Sequence, residues 1–214
     1  ADIDVLELST EKSYLKAKGS INLKDLSYEG EILEASINTK ELPMLQSYPE
    51  FNLKTSFKIK GVNRDFKLDY NAQIDSLDYG AKFNNINLYG LVEFKNGEIY
   101  GNTEGYIKEF AFSNFFFRDL FVALEFDKNR VIIEKVLNAY LLLNGIYNFE
   151  KDDLDLKYEI KDYDLEKVKA SDYQIKGNIS RVTGTIKDTV ENPTVTANLE
   201  KSFINYNNTE NAII

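Results

Sequence analysis

The stretch Phe51-Asn52-Leu53-Lys54-Thr55-Ser56-Phe57-Lys58-Ile59-Lys60, followed after a turn by Phe66-Lys67-Leu68-Asp69-Tyr70-Asn71-Ala72-Gln73-Ile74, decides the fold. Phe51, Leu53, Thr55, Phe57 and Ile59 alternate with polar or charged neighbours, and Phe66, Leu68, Tyr70, Ala72 and Ile74 repeat the pattern. A period of two puts one set of side chains on each face of a strand. The prediction is an antiparallel sheet with one apolar and one wet face. The same alternation runs through Leu15 to Leu23, Leu120 to Phe126 and Leu154 to Ile160.

Turn signals separate these runs at Tyr28-Glu29-Gly30, Val62-Asn63-Arg64-Asp65, Asp127-Lys128-Asn129-Arg130 and Glu150-Lys151-Asp152-Asp153. Asn96-Gly97, between Val92–Phe94 and Ile99, is the cleanest hairpin turn. Roughly a dozen strands result, many of about ten residues or about 33 Å. Helix is predicted only as short turns, at Glu41–Tyr48 and at Asp164–Val168. Lys-Gly pairs at Lys18-Gly19, Lys60-Gly61 and Lys176-Gly177 recur without a fixed period, which disfavours solenoids with a strict consensus.

Composition removes most chemistry. The chain of 214 residues has no His and no Cys. There is therefore no imidazole proton shuttle or ligand, no disulfide, no thiolate nucleophile and no ordinary zinc site. A formal net charge of −9 opposes binding to nucleic acid. With 14 Phe and 14 Tyr the chain is too apolar to be disordered. The most apolar stretch, Phe115 to Phe126, carries Arg118, Asp119 and Glu125 and is too short to span a bilayer as a helix. The sequence shows no leader or anchor, and it reads as a single elongated segment, residues 1–214, of a larger protein.

Candidate catalytic constellations dissolve on inspection. Asp153 and Asp155 share a strand face with Lys157, Glu159 and Lys161, opposite Leu154 and Leu156, so they belong to a solvated charged face. Asp162 and Asp164 are spaced like a carboxylate pair, but no stretch matches a calcium loop. Gly97, Gly101 and Gly105 lack the helix start that a phosphate cradle needs. Ser113, Ser171, Ser180 and Ser202 have no His partner, and nothing singles one out for a Ser–Lys dyad. Asn178-Ile179-Ser180 and Asn207-Asn208-Thr209 match the glycosylation acceptor, as expected by chance in an Asn-rich chain. The run Phe115-Phe116-Phe117 is either a lipid-contacting or edge patch, or a bend between strands with both neighbours buried. No catalytic residue, metal ligand or cofactor is assigned.

The segment Leu143-Asn144-Gly145-Ile146-Tyr147-Asn148-Phe149 with Glu150-Lys151-Asp152-Asp153-Leu154-Asp155-Leu156 resembles a unit of the AsmA/TamB family: glycine, alternating strand, acidic turn, then a strand opening Leu-Asp-Leu. Gly177 to Ile186, followed by Glu191-Asn192-Pro193 and Thr194 to Leu199, is similar to the family's glycine-spaced strands and Asn-Pro turn. Asp162-Tyr163-Asp164-Leu165 resembles its connecting element. The resemblance covers the second half of the chain and the first half in style.

The resemblance implies a periplasmic body folded as a curled β-sheet, a taco-shaped groove with an apolar concave face. Such a groove would shield phospholipid acyl chains between the inner and outer bacterial membranes and so support outer-membrane biogenesis. An outer-membrane β-barrel partner and an inner-membrane anchor outside this chain are also implied. The groove wall would be Phe57 and Ile59, Phe66 and Leu68, then Leu120, Val122, Leu124 and Phe126. It would continue through Ala139, Leu141 and Leu143 to Leu154 and Leu156. Ala139, Leu141, Leu143, Gly145, Tyr147 and Phe149 form its longest stripe. Alternation alone does not separate such a trough from a sheet with a dry, packed face. The other reading is therefore a structural or adhesive β module of a bacterial surface protein.

Overall fold

The computed structural model describes residues 1–43, 49–78, 81–112, 115–167, 175–200, 202–206 and 209–213. The first strands are β1 (Asp2–Ser9), β2 (Tyr14–Asn22), β3 (Ser27–Asn38), β4 (Asn52–Val62) and β5 (Asp65–Asp78). The central strands are β6 (Lys82–Lys95), β7 (Glu98–Phe112), β8 (Phe115–Lys128), β9 (Arg130–Leu137) and β10 (Leu141–Asn148). The last are β11 (Asp153–Asp164), β12 (Ile175–Thr189), β13 (Pro193–Glu200), β14 (Ser202–Tyr206) and β15 (Thr209–Ile213). All fifteen belong to one sheet. From β1 to β12 each strand pairs antiparallel with the next in sequence. β13 and β14 share the outer edge of β12, and β15 pairs with β14.

Tight turns follow the sequence signals except at Tyr28-Glu29-Gly30, which lies inside β3, paired with β2 and β4, because the chain turns earlier, between Asn22 and Ser27. Asn96 and Gly97, with φ of 53° and 83°, give the left-handed pair that a two-residue hairpin of the right twist requires. The expected helix at Glu41–Tyr48 is preceded by a 3-10 turn at Thr39–Glu41, capped by the Asn38 side chain, which accepts from the Lys40 amide. Residues 44–48 lie outside the described residues. The second expected helix is a 3-10 turn, Leu165–Lys167, and Val168 lies outside the described residues.

The all-β, antiparallel and elongated character follows from the alternation. The curl does not. The sheet is open: β1 and β15 stand at opposite ends of a linear strand order, among the described residues no strand pairs back across it, and it is not wrapped into a taco or trough. Pairing is local: each connection from β1 to β12 returns the chain to its sequence neighbour, and among the described residues nothing joins the distant edges.

Packing is densest where β9 and β10 stop short. Asn138, between them, accepts from the amides of Tyr140 and Leu141 at 2.8 Å each, and its side-chain amide donates to the Arg118 carbonyl at 2.8 Å. This turn lets β8 and β11 approach each other. Phe117, Leu120 and Tyr163 form a buried cluster there, with Ile107, Phe110, Val136 and Ile160 packed against it. Rings follow one another in a row: Phe83–Phe110 at 5.0 Å, Phe110–Phe117 at 6.2 Å and Phe117–Tyr163 at 5.3 Å between centroids.

Strict alternation cannot bury both Phe117 and Leu120, three residues apart. The phase slips at Asp119, whose φ is 54°, and again at Asp162, φ 49°, between Ile160 and Tyr163. Asn85, φ 51°, stands at the same level on β6, because Ile86 pairs with Ile107 and Ile107 with Leu120. Register is kept because the slips lie side by side. Asn and Asp tolerate the left-handed conformation better than other side chains.

Candidate functional site

The expected wall residues can be followed across the sheet by register. Ile59 pairs with Leu68, Leu68 with Val92, Val92 with Gly101, and Gly101 with Phe126. Phe126 pairs with Val131, Val131 with Tyr147, and Tyr147 with Leu154. Paired residues point to the same face, so Ile59, Leu68, Phe126 and Leu154 share it. Parallel rows bring in Phe57, Phe66, Val122, Leu124, Leu143 and Leu156. Leu141, opposite Ile160, and Leu120, opposite Ile107, join near the aromatic cluster. Ala139 does not belong: it is exposed in the turn before β10.

The middle of this face packs on itself, whereas Ile3, Leu8 and Val195 on its outer strands are exposed. Leu120, Val122 and Leu156 are buried at 2%, 6% and 8% exposure, and the other wall residues within strands are half-buried. Tyr70, opposite Gly90, reaches past it to β7, where its hydroxyl meets the Thr103 hydroxyl at 2.6 Å. Tyr158 does the same over Gly184, donating to the Thr196 carbonyl on β13 at 2.9 Å. A Cβ on Gly184 would lie 2.6 Å from the Tyr158 ring and hydroxyl, so only glycine admits this strap. Large side chains lying over glycines fill the layer, which is the packing that a dry face needs.

Depressions open on the opposite face. One of about 690 Å³ is bordered by Asp2, Lys18, Glu29, Lys58, Lys67 and Asp69. Lys18, Glu31, Lys58 and Asp69 are successive register partners across β2 to β5, an alternating charge ladder. Lys18 lies 2.8 Å and Lys58 3.9 Å from Glu31. The hydrogen bond from Lys18 is the chief reason the Glu31 carboxyl titrates below the usual carboxylate range. Lys67 and Glu93, also register partners, meet at 2.6 Å. Arg181 sits between Glu159 at 2.8 Å and Glu200 at 3.5 Å. These pairs are exposed and screened by solvent, so their value lies in register rather than in stability.

These observations correct the expected function. No curled hydrophobic groove is present to shield acyl chains, and the depression of about 690 Å³ is bordered by charged side chains. The lipid-transport reading, and the TamB-type hydrophobic groove and outer-membrane role attached to it, are set aside for that reason.

The remaining expected features fall into place as structure. Asp153, Asp155 and Lys157 are exposed, and Asp155 pairs with Lys187 at 3.7 Å. Gly101 and Gly105 lie within β7, with Gly97 in the preceding turn. Ser180 is exposed on β12 and Ser202 is buried on β14, whereas Ser113, Ser171, Asn207 and Asn208 lie outside the described residues. The Phe115–Phe117 run opens β8: Phe117 is buried, and Arg118 covers the Phe116 ring at 5.1 Å. Among the described residues, no group of three or more Asp or Glu is placed to hold a metal, and no helix is long and apolar enough to cross a membrane.

Sequence reasoning missed two features. The tyrosine straps have a faint signal, a Tyr and a Gly on adjacent predicted strands. The free edges have none, because edge status depends on the whole strand order. β1 and β13 are exposed along all eight residues of each. β1 carries Asp2, Asp4 and Glu7, whereas β13 reads Pro193-Thr194-Val195-Thr196-Ala197-Asn198-Leu199-Glu200, with one charge at its end. No family model, curated protein or solved structure matches this chain.

Proposed function

We propose that the chain is a non-catalytic structural or adhesive β module of a bacterial surface or envelope protein. The observation that carries this reading is the apolar face packed on itself through its middle, on an open ladder, with Tyr70 and Tyr158 strapped across glycines and Leu120 buried. A sheet that fills its own face needs no cargo to stay folded. A ladder whose strands pair with sequence neighbours extends in one direction, which suits a spacer or display surface. The absence of cysteine and histidine supports a role without redox, metal or proton-transfer chemistry.

Leu143→Asp tests the reading. Leu143 stands between Val136 and Tyr158 on the packed face. A carboxylate there has no cation among its register partners, and burying an unpaired charge costs several kcal/mol, on the order of a small domain's whole stability. The variant should lose cooperative thermal unfolding, while native mass spectrometry of the wild type finds no co-purifying lipid. A variant that melts like the wild type, or a wild type that carries stoichiometric acyl chains, overturns it.

A further inference from the structure

We infer that Asn96, in the turn between β6 and β7, is a site of spontaneous covalent modification, at which its side chain closes on the backbone nitrogen of Gly97 and leaves aspartate or isoaspartate. This goes beyond the module reading, which needs no chemistry at a turn. Asn-Gly occurs twice in the chain, at Asn96-Gly97 and Asn144-Gly145. The first pair forms the tight turn between Lys95 and Glu98, which are register partners. Asn96 and Gly97 are both exposed, and a Cβ on Gly97 would meet nothing within 4 Å. The Asn96 backbone amide donates to Asp65 Oδ1 at 2.9 Å. Among the described residues, no hydrogen bond holds the Asn96 side-chain amide or the Gly97 N–H, so both reacting groups are free. The second pair is held in the sheet. Gly145 lies within β10 with Ile133 on one side and Leu156 on the other, and a Cβ there would sit 2.2 Å from the Asp155 carbonyl oxygen.

The reaction balances with water as its only co-reactant. The Gly97 nitrogen gives its proton to solvent base and attacks the side-chain carbonyl carbon of Asn96, forming a C–N bond. The bond from that carbon to the side-chain nitrogen breaks, and the nitrogen takes up a proton and leaves as ammonia. Water then opens the cyclic imide at either carbonyl, giving aspartate or isoaspartate with a new carboxylate. Glycine in second place favours closure, because it has no Cβ to crowd the ring and its backbone turns freely. Gly145 cannot turn while β10 stays paired, so Asn144 reacts only when that strand opens. Modification at Asn96 adds a negative charge near Asp65, which already accepts from the Asn96 amide. Isoaspartate also lengthens the main chain by one carbon, which the tight hairpin turn does not accommodate. The tip then frays inward from Lys95 and Glu98, toward the stacked rings of Phe66 and Phe94.

Peptide mapping by mass spectrometry of the whole folded chain, aged at neutral and at mildly alkaline pH, tests this. The peptide carrying residues 96–97 should give two products of equal mass, aspartate and isoaspartate, separable by retention and fragmentation. Their formation should accelerate as pH rises, because the attacking nitrogen must lose a proton. The peptide carrying residues 144–145 should convert roughly tenfold or more slowly in the folded chain, and at a similar rate to the first in guanidinium. Asn96→Asp supplies the charge without the added carbon, so its melting temperature should fall less than that of the isoaspartate form purified from aged protein. A folded chain in which Asn96 stays intact while the unfolded chain converts overturns the proposal. So does equal conversion at Asn96 and Asn144 in the folded chain. Aspartate without isoaspartate would mean direct hydrolysis of the side chain, which is equally fatal.

Discussion

The Tyr163 hydroxyl donates to the carbonyl oxygen of Phe116 at 3.0 Å, tying β11 to β8 past the ends of the two shorter strands between them. Tyr163 is fully buried, its ring tilted against Phe117 and edge-on to Tyr140. The bond forms because Asn138 ends β9 early and the slips at Asp119 and Asp162 turn both strands toward the same cluster. Tyr163→Phe keeps the ring and removes the hydroxyl, leaving a part-buried carbonyl without that donor. The expected loss is about 1–3 kcal/mol, read as a lower urea midpoint at an unchanged slope.

Gly184→Ala should destabilise by about 1–3 kcal/mol through overpacking. The added carbon would sit 2.0 Å from the Thr196 carbonyl and 2.6 Å from the Tyr158 hydroxyl, so either the β12–β13 pairing or the strap must yield. Tyr158→Phe should cost less, about 0.5–1.5 kcal/mol for one partly exposed bond. Thermal melts of both variants and their combination check this, and the pair should be non-additive because the residues touch.

Acid should loosen the corner where the β1–β2 turn meets β3. Glu41 accepts from the hydroxyls of Ser13 and Thr10 and from the Lys12 amide at 3.2 Å. These bonds, that from Ser13 foremost, hold its carboxyl below the ordinary value of 4.5. A carboxyl lowered on folding stabilises fully above its unfolded value, and the contribution disappears as pH falls through the folded one. The melting temperature of Glu41→Gln should therefore lie below that of the wild type at neutral pH and converge with it as pH falls from neutral through the carboxylate range. Curves that stay parallel across that range would rule the linkage out.

The phase slip on β11 should depend on what occupies its left-handed position. Asp162→Val should cost about 1–2 kcal/mol, because a branched side chain is disfavoured there. Asp162→Gly should melt close to the wild type. Equal losses in both would mean that the Asp162 side chain, rather than the backbone conformation, holds the site.

How much of this is legible in the sequence differs from strand to strand. Phe57 to Ile59 and Phe66 to Leu68 alternate without interruption, and their faces and pairing follow directly. Asn96-Gly97 announces its own turn. Asp119 and Asp162 look like ordinary polar residues on the wet face, and only backbone angles reveal that they shift the phase. Alternation puts Ala139 in the apolar stripe, but the turn chemistry of Asn138 competes with strand continuation and wins. Curvature was beyond reach, since a trough and an open sheet share the same alternation. The difference between them lies in long-range strand order, and the burial that distinguishes the wall comes from tyrosines lying across neighbouring strands.

The linear strand order has a consequence for how such a chain changes in length. Every strand from β2 to β11 pairs with its two sequence neighbours, and direction alternates from one to the next. Removing or duplicating one hairpin therefore returns the chain to the same direction, with the same side chains turned to the packed face. A single strand cannot be removed this way, because every later strand would then run against its original sense. Growth and loss by whole hairpins are the changes this architecture absorbs without a new core, and its natural unit of inheritance is two strands and the turn between them.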